Sequence, residues 1–132
     1  MKNKLLIFVK TLLISLILIS CSETNKLENI NNVLLFGDSL MSGYGLKEDQ
    51  TLSIILENDL KDAGYNIKVI NGSVSGDTSE DGLDRIEEYT SRDDIDLIVL
   101  GLGANDMLRR INPDQTKSNL RKIIEIIKTK NI

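Results

Sequence analysis

Three short polar segments of this 132-residue sequence carry groups that an acyl-transfer reaction needs. Ser39 stands in Gly-Asp-Ser-Leu, at a sharp turn where a hydroxyl can approach an electrophile. Gly76, in Ser-Gly-Asp-Thr, has no side chain, so its backbone N–H can come close to an oxyanion. Asn105, in Gly-Ala-Asn-Asp, offers an amide NH2 to the same point. One nucleophile with two independent donors predicts acyl transfer.

Each of these residues also has a purely structural interpretation. A Ser in Gly-Asp-Ser commonly caps a helix or lies in a turn, and Gly76 can simply supply a positive φ. Asn105 and Asp106 together can form an Asx-turn. Their occurrence in order, on loops that follow successive strands, favours the catalytic interpretation.

The same loops leave two other kinds of site open. Asp38, Asp77 and Asp106 could gather around a hard cation such as Mg²⁺, although no catalytic Lys or phosphate loop accompanies them. Gly101-x-Gly103 resembles the start of a dinucleotide fingerprint, but the third glycine is replaced by Asp106. The Mg²⁺ site is an alternative, and the dinucleotide site is poorly supported.

The composition excludes several mechanisms. The sequence has no His and one Cys, so these residues alone complete neither a Ser-His-Asp triad nor a His-ligated or Cys-rich metal site. With 41% apolar and 27% charged residues it is typical of one folded domain. The net charge of −4 gives no reason to expect nucleic acid as a partner.

The elements that must position these loops follow an alternating pattern. Continuous apolar runs at 33–36, 67–70 and 96–100 predict three buried strands, each running into a Gly-containing loop. Helical periodicity between and after them predicts a helix that stops at Gly64, one capped by Thr78 with Asp81, and one that starts at Asn112-Pro113.

The alternation predicts an α/β fold with a doubly wound parallel sheet, whose ligands bind beyond the carboxyl ends of the strands. The third helical pattern presents Ile123, Ile124, Ile126, Ile127 and Ile132 with no later strand to cover them. We therefore expect a sheet that is incomplete at the C-terminus, in a chain that is the N-terminal part of a longer protein.

The N-terminus is typical of a processed bacterial lipoprotein. Residues 1–20 combine Lys2, Lys4 and Lys10 with an apolar run of about ten residues, as in a secretory signal peptide. Leu-Ile-Ser-Cys resembles a lipobox and predicts lipidation of Cys21, the sole cysteine. A buried N-terminal helix or an ordinary membrane anchor is the alternative. Residues 21–32 then form a polar tether and 33–132 the folded domain, and without residues 1–20 the net charge is −7.

Three ordered blocks resemble those of the SGNH hydrolases, also called GDSL-type esterases and lipases. The blocks are Leu-Leu-Phe-Gly-Asp-Ser-Leu at 34–40, Val-Ile-Asn-Gly-Ser-Val-Ser-Gly-Asp-Thr-Ser at 69–79, and Gly-Leu-Gly-Ala-Asn-Asp at 101–106. Within that family the sequence is most similar to the periplasmic thioesterase, lysophospholipase and arylesterase type. The resemblance covers the chain from Val33 to about Ile132.

The resemblance implies a flavodoxin-like, three-layer α/β/α fold and hydrolysis of carboxylic esters, thioesters or lysolipids. It implies Ser39 as nucleophile, with an oxyanion hole made by the Ser39 N–H, the Gly76 N–H and the Asn105 side chain. It also implies a mobile loop at 107–113 beside an acyl pocket, and no metal or organic cofactor. The expected location is the bacterial cell envelope, with the lipid anchor in a membrane and the domain facing the periplasm.

One block of the family is absent. The resemblance implies a catalytic Asp and His three residues apart near the C-terminus, and these 132 residues contain no such pair. We expect these residues alone to be nearly inert, because loss of the His of a serine hydrolase lowers kcat by roughly 10⁶. The alternative to an esterase is a catalytically inactive lipoprotein that binds lipid or carbohydrate.

Overall fold

The computed structural model describes residues 29–130 and residue 132. The predicted signal peptide, Cys21 and most of the predicted tether therefore lie outside the described residues. The strands are β1 (Asn32–Gly37), β2 (Lys68–Asn71) and β3 (Leu97–Gly101). The helices are α1 (Ser39–Ser42), α2 (Leu52–Asp62), α3 (Ser79–Thr90), α4 (Ala104–Leu108) and α5 (Pro113–Thr129), with a short 3-10 helix at Glu48–Gln50.

The three strands form one parallel sheet in the order β2-β1-β3. Val33 of β1 is in register with Val69 of β2 and with Leu97 of β3. The predicted parallel α/β fold is confirmed, and this order is the beginning of the 2-1-3-4-5 order of flavodoxin-like sheets. All three carboxyl ends lie at the same edge of the sheet.

Strand β1 is buried on both faces, as its continuous apolar run predicts. Leu34 and Phe36 point into a cluster with residues of α3 and α5, whereas Val33 and Leu35 point into a second cluster that contacts α2. Successive side chains of a strand point to opposite faces, so β1 alone supplies both cores. The result is three layers, with α3 and α5 on one face and α2 on the other.

The predicted helix boundaries are confirmed. Thr78 and Asp81 form a reciprocal capping box at the start of α3, and Asn112 caps α5 with Pro113 as its first residue. The pKa of Asp81 lies below its ordinary value because the backbone and side chain of Thr78 donate hydrogen bonds to its carboxylate. Helix α2 stops before Gly64, as expected.

The domain begins slightly earlier than residue 33. Asn32 already belongs to β1, and the carboxylate of Asp96 accepts the N–H groups of Asn31 and Asn32 at 2.7 and 2.9 Å. Asp96 itself precedes β3 rather than belonging to it. These two bonds fix the entry to β1, so the end of the predicted tether is part of the folded unit.

The outer side of β3 remains uncovered among residues 29–130 and 132. Leu97 and Val99 are 37% and 38% exposed, which corrects the prediction that β3 is buried, and no described strand pairs with the second edge of β3. Ile123 is fully buried because α5 packs against α3, and Ile126, Ile127 and Ile132 pack against the same cluster, which corrects the expectation that they are uncovered. Ile124 stays 42% exposed. None of the described helices is long and apolar enough to cross a membrane.

Candidate active site

Ser39 is the first residue of α1 and lies two residues after the carboxyl end of β1. Asp38 is the N-cap of this helix, is 2% exposed, and accepts the Leu40 N–H at 3.0 Å. The predicted structural role of Asp38 is thereby confirmed. Ser39 is half-buried, and neither its hydroxyl nor its N–H has a hydrogen-bond partner within the described part of the chain. Both groups are therefore available to a ligand.

Just before Ser39, the ends of strands β1 and β3 pack closely against each other. A Cβ placed on Gly37 would lie 2.6 Å from the carbonyl oxygen of Gly101. Contacts below about 3.0 Å do not occur for real Cβ atoms. Glycine at position 37 therefore lets the ends of β1 and β3 approach each other immediately before the nucleophile.

Gly76 is the third residue of a tight turn that follows β2. The Asp77 N–H donates to the Val74 carbonyl at 3.3 Å, and Gly76 has φ +93°, as a type II turn requires at this position. The Val74 N–H donates to the Gly37 carbonyl at 3.0 Å, which holds this loop against the end of β1. Among the described residues the Gly76 N–H has no acceptor.

Asn105 lies in α4, a five-residue helix, and not in a loop as its sequence context predicts. Its Nδ2 donates to the carbonyl oxygen of Asp77 at 2.8 Å. The side chain therefore lies beside the end of the turn that contains Gly76. An amide NH2 has two N–H donors, so one remains for a substrate oxygen.

Asp106 forms a buried network that sequence reasoning missed. Its carboxylate accepts the Ser79 hydroxyl at 2.5 Å, the Ser79 N–H at 2.8 Å and the Thr116 hydroxyl at 2.9 Å. Asn119 donates in turn to the Ser79 hydroxyl at 3.1 Å. The network joins α3, α4 and α5 directly behind Asn105.

The pKa of Asp106 follows from this environment. Burial raises the pKa of the carboxyl, but hydrogen bonds from the side chain and backbone of Ser79 and from Thr116 outweigh burial. The net pKa lies below its ordinary value, so Asp106 is a carboxylate at neutral pH. A charged acceptor strengthens the bonds that fix the start of α4.

Arg85 is the second residue that sequence reasoning missed. It forms an ion pair with Asp77, Nε to Oδ2 at 2.6 Å, with the two side chains 18% and 12% exposed. The available signal was its position on the sheet-facing side of α3, with Gly82, Ile86 and Tyr89 at helical spacing. A charged residue on a buried face needs a partner, and here the partner is next to Gly76.

The three carboxylates of the alternative Mg²⁺ site do not gather. Asp38 caps α1, Asp77 pairs with Arg85, and Asp106 is bonded to Ser79 and Thr116. Within residues 29–130 and 132, no group of three or more acidic, His or Cys side chains could hold a metal ion. The described geometry gives this alternative no support.

The segment at 107–113 lines a groove of about 990 Å³ between α4 and α5. Its walls include the apolar side chains of Met107, Ile111, Leu120 and Ile124. Met107 is 74% exposed, and Arg110 has φ +58°, which a non-glycine residue rarely adopts. The groove therefore lies next to Asn105, since Gly103 and Asp106 also line it, while the mobility of the segment at 107–113 stays a prediction.

The structure brings the three predicted loops together at the carboxyl edge of the sheet. The bond from Val74 to Gly37 joins the second loop to the first, and the bond from Asn105 to Asp77 joins the third to the second. Convergence of the Ser39, Gly76 and Asn105 donors on one substrate oxygen remains a prediction. Cys21, the predicted lipidation site, is outside the described residues.

The chain is similar to known proteins. The family model described as GDSL-like lipase/acylhydrolase matches residues 35–132. An arylesterase of Vibrio mimicus is 38% identical over 116 residues, which cover 88% of this chain and 58% of that protein. The thioesterase 1/protease 1/lysophospholipase L1 of Escherichia coli strain K12 is 33% identical over 101 residues, covering 76% of this chain and 47% of that protein.

Solved structures show the same relationship. The crystal structure of AlinE4, an SGNH-hydrolase family esterase, matches with a TM-score of 0.74 at 38% identity. The match covers 78% of this chain and 56% of AlinE4. The chain thus spans about half the length of the proteins that it matches.

Proposed function

The chain belongs to the GDSL-like lipase/acylhydrolase family, and from this premise we propose that the whole protein hydrolyses carboxylic esters or thioesters through an acyl-enzyme on Ser39. The observation that supports the proposal best is the Asn105 to Asp77 bond, which holds an amide donor beside the Gly76 turn at the end of β1. The named activities of the similar proteins, arylesterase and thioesterase among them, agree with this reaction class.

The proposed reaction has two half-reactions. The Ser39 Oγ bonds to the carbonyl carbon and loses its proton to a general base, and the leaving alcohol or thiol takes up a proton. Water then attacks the acyl-enzyme, frees the acid and restores the Ser39 hydroxyl. In both steps the carbonyl oxygen becomes an oxyanion, which the Ser39 N–H, the Gly76 N–H and the Asn105 amide stabilise.

No imidazole is available among these 132 residues to act as the general base. The sequence contains no His, and the buried carboxylates Asp38 and Asp106 are occupied in capping and in the Ser79 network. We propose that an imidazole base is supplied by polypeptide outside the 132 residues. The resemblance to the family implies that this general base is a His oriented by an Asp.

The proposed substrates are small ester, thioester or lysolipid molecules. The apolar walls of the groove beside α4 suit an acyl chain, which gains free energy by leaving water at about 25 cal/mol per Å² of apolar surface. Exposed apolar residues flank the nucleophile as well, since Leu40 and Tyr44 are 79% and 78% exposed. This surface favours an acyl ester over a small hydrophilic one.

The test is hydrolysis of p-nitrophenyl esters and acyl thioesters by the whole protein and by Ser39→Ala. We expect kcat to fall by roughly 10⁶ in that variant, since the nucleophile is lost. Ser118→Ala, at an exposed position of α5, is the control and should retain wild-type turnover. Equal rates for Ser39→Ala and wild type would refute the proposal. Loss of activity in EDTA would instead support the Mg²⁺ alternative.

We also propose that Cys21 is lipidated and anchors the protein in a membrane of the bacterial cell envelope. The support is the signal-like sequence at 1–20 followed by the sole cysteine. Radiolabelled palmitate should enter the wild-type protein and not Cys21→Ala. Equal labelling of both proteins would show that Cys21 is not the site of lipidation.

A further inference from the structure

We propose that Arg85 is a positioning residue that fixes the nucleophile loop and the oxyanion loop relative to each other. This inference rests on the proposed esterase function for its catalytic consequence, but its structural basis is independent. The guanidinium contacts Gly37, which precedes the nucleophile, and Asp77, which follows Gly76.

The contacts use all three nitrogens of the guanidinium. Nε donates to Asp77 Oδ2 at 2.6 Å, Nη1 to the Gly72 carbonyl at 2.6 Å, and Nη2 to the Gly37 carbonyl at 3.2 Å. The guanidinium carbon lies 4.0 Å from the centre of the Phe36 ring. One side chain thus joins the end of β1 with both ends of the loop that follows β2.

The bonded groups are adjacent to the catalytic candidates. Gly37 lies two residues before Ser39, and Asp77 directly follows Gly76. The carbonyl of the same Asp77 accepts the Asn105 amide, while its carboxylate accepts Arg85. A displacement of Asp77 would therefore move the Gly76 N–H and the Asn105 amide together.

The helix that carries Arg85 begins at this same loop. Thr78 caps α3 directly after Asp77, and Arg85 reaches back from the second turn to the loop from which α3 starts. The start of α3 and the bond from Arg85 to Asp77 therefore hold the same end of the loop. Each of the three guanidinium nitrogens donates to a protein acceptor, which supports a role of Arg85 in holding the site.

Lysine is not equivalent at this position. A planar guanidinium presents donors in a fixed fork, whereas an ammonium is a point charge that reaches one or two acceptors in this arrangement. The Arg85→Lys variant would keep the charge opposite Asp77 but would not bridge the Gly72 and Gly37 carbonyls simultaneously. This substitution therefore separates charge pairing from loop positioning.

The first test is amide hydrogen exchange, followed by mass spectrometry, on the full chain with Arg85→Lys. We expect faster exchange in the peptides that contain 37–42 and 72–78, with unchanged exchange in α5. Arg92→Lys is the matched control, since Arg92 forms an exposed ion pair with Asp94 at 2.8 Å and should leave both loops unchanged. Wild-type exchange in the two loops, or equal acceleration throughout α3 and α5, would overturn the proposal.

The second test is steady-state kinetics of the whole protein with a p-nitrophenyl ester. Arg85→Lys should lower kcat about 10- to 100-fold, with KM changed less than about twofold, because misplacement by about 1 Å costs this much in rate. A wild-type kcat in that variant would overturn the positioning role. If the wild-type protein itself hydrolyses no ester, the proposed function fails, and hydrogen exchange alone decides whether Arg85 holds the loops.

Discussion

At the scale of single residues, the site depends on polar groups that are held by other polar groups. Asn105 is oriented by the Asp77 carbonyl, and Asp77 is oriented by Arg85. The residue after Asn105, Asp106, is fixed by Ser79 and Thr116. Preorganised donors need no rearrangement when charge develops on the substrate, which is the physical basis of oxyanion stabilisation.

Replacing Asn105 by Ala should lower kcat of the whole protein about 10² to 10³-fold, because one oxyanion donor is lost. KM should change little, since the donor acts mainly in the transition state. Asn66→Ala is the control: Asn66 is exposed and precedes β2, at the opposite edge of the sheet, so turnover should be unchanged. An Asn105→Ala enzyme with wild-type turnover would remove Asn105 from the oxyanion hole.

Replacing Asp106 by Asn should destabilise the fold by roughly 1.5 to 3 kcal/mol at pH 7, because hydrogen bonds to a charged acceptor are lost. The pKa of Asp106 is lowered in the folded state, so its stabilisation is fully present above the unfolded value of about 4. It disappears as the pH falls through the lower, folded value.

Urea unfolding at pH 7, 5 and 3 measures this effect. The difference between wild type and Asp106→Asn should be similar at pH 7 and 5 and smaller at pH 3. Asp114→Asn, which replaces an exposed carboxylate in the first turn of α5, should change stability by less than about 0.5 kcal/mol. A difference that stays constant down to pH 3 would mean that the charge of Asp106 does not stabilise the fold.

At the scale of elements, the sequence predicts the helix starts and strands that are determined by neighbouring residues. The capping box at Thr78, the Asn112-Pro113 start of α5 and the apolar runs of the strands all depend on neighbours in sequence. Helix α4 was missed because five residues carry no periodicity, and its N-cap, Gly103, offers no side chain. The contacts of Arg85 depend on pairing between distant segments, which one sequence does not specify, whereas the incomplete sheet was predicted from the isoleucines of α5.

Replacing Thr78 by Ala should cost about 1 kcal/mol of stability, because α3 loses the side-chain half of its capping box. Thr51→Ala is the comparison: Thr51 precedes α2 without a side-chain capping bond, its hydroxyl donates to the exposed Glu48 carbonyl at 2.8 Å, and its loss should cost less. Thermal or urea unfolding of the two variants gives the comparison. Equal losses would show that the capping box contributes nothing specific to the start of α3.

At the scale of the whole molecule, the strand order explains how distant residues meet. Strand β1 is central, so Ser39 lies between the loop that follows β2 and the loop that follows β3. The Asn105 to Asp77 bond joins these outer loops past the end of β1. The three family blocks, which lie far apart in sequence, are therefore neighbours at one edge of a three-stranded sheet.

The most direct measurement is the position of a covalent adduct formed when the whole protein reacts with a fluorophosphonate. Such a probe bonds to an activated serine oxygen and releases fluoride, and peptide mass spectrometry then locates the modified residue. We expect one adduct, on Ser39, that is absent in Ser39→Ala and retained in Ser42→Ala. An adduct on Ser42, Ser73 or Ser75, or ester turnover without any adduct on Ser39, would contradict the assignment of the nucleophile.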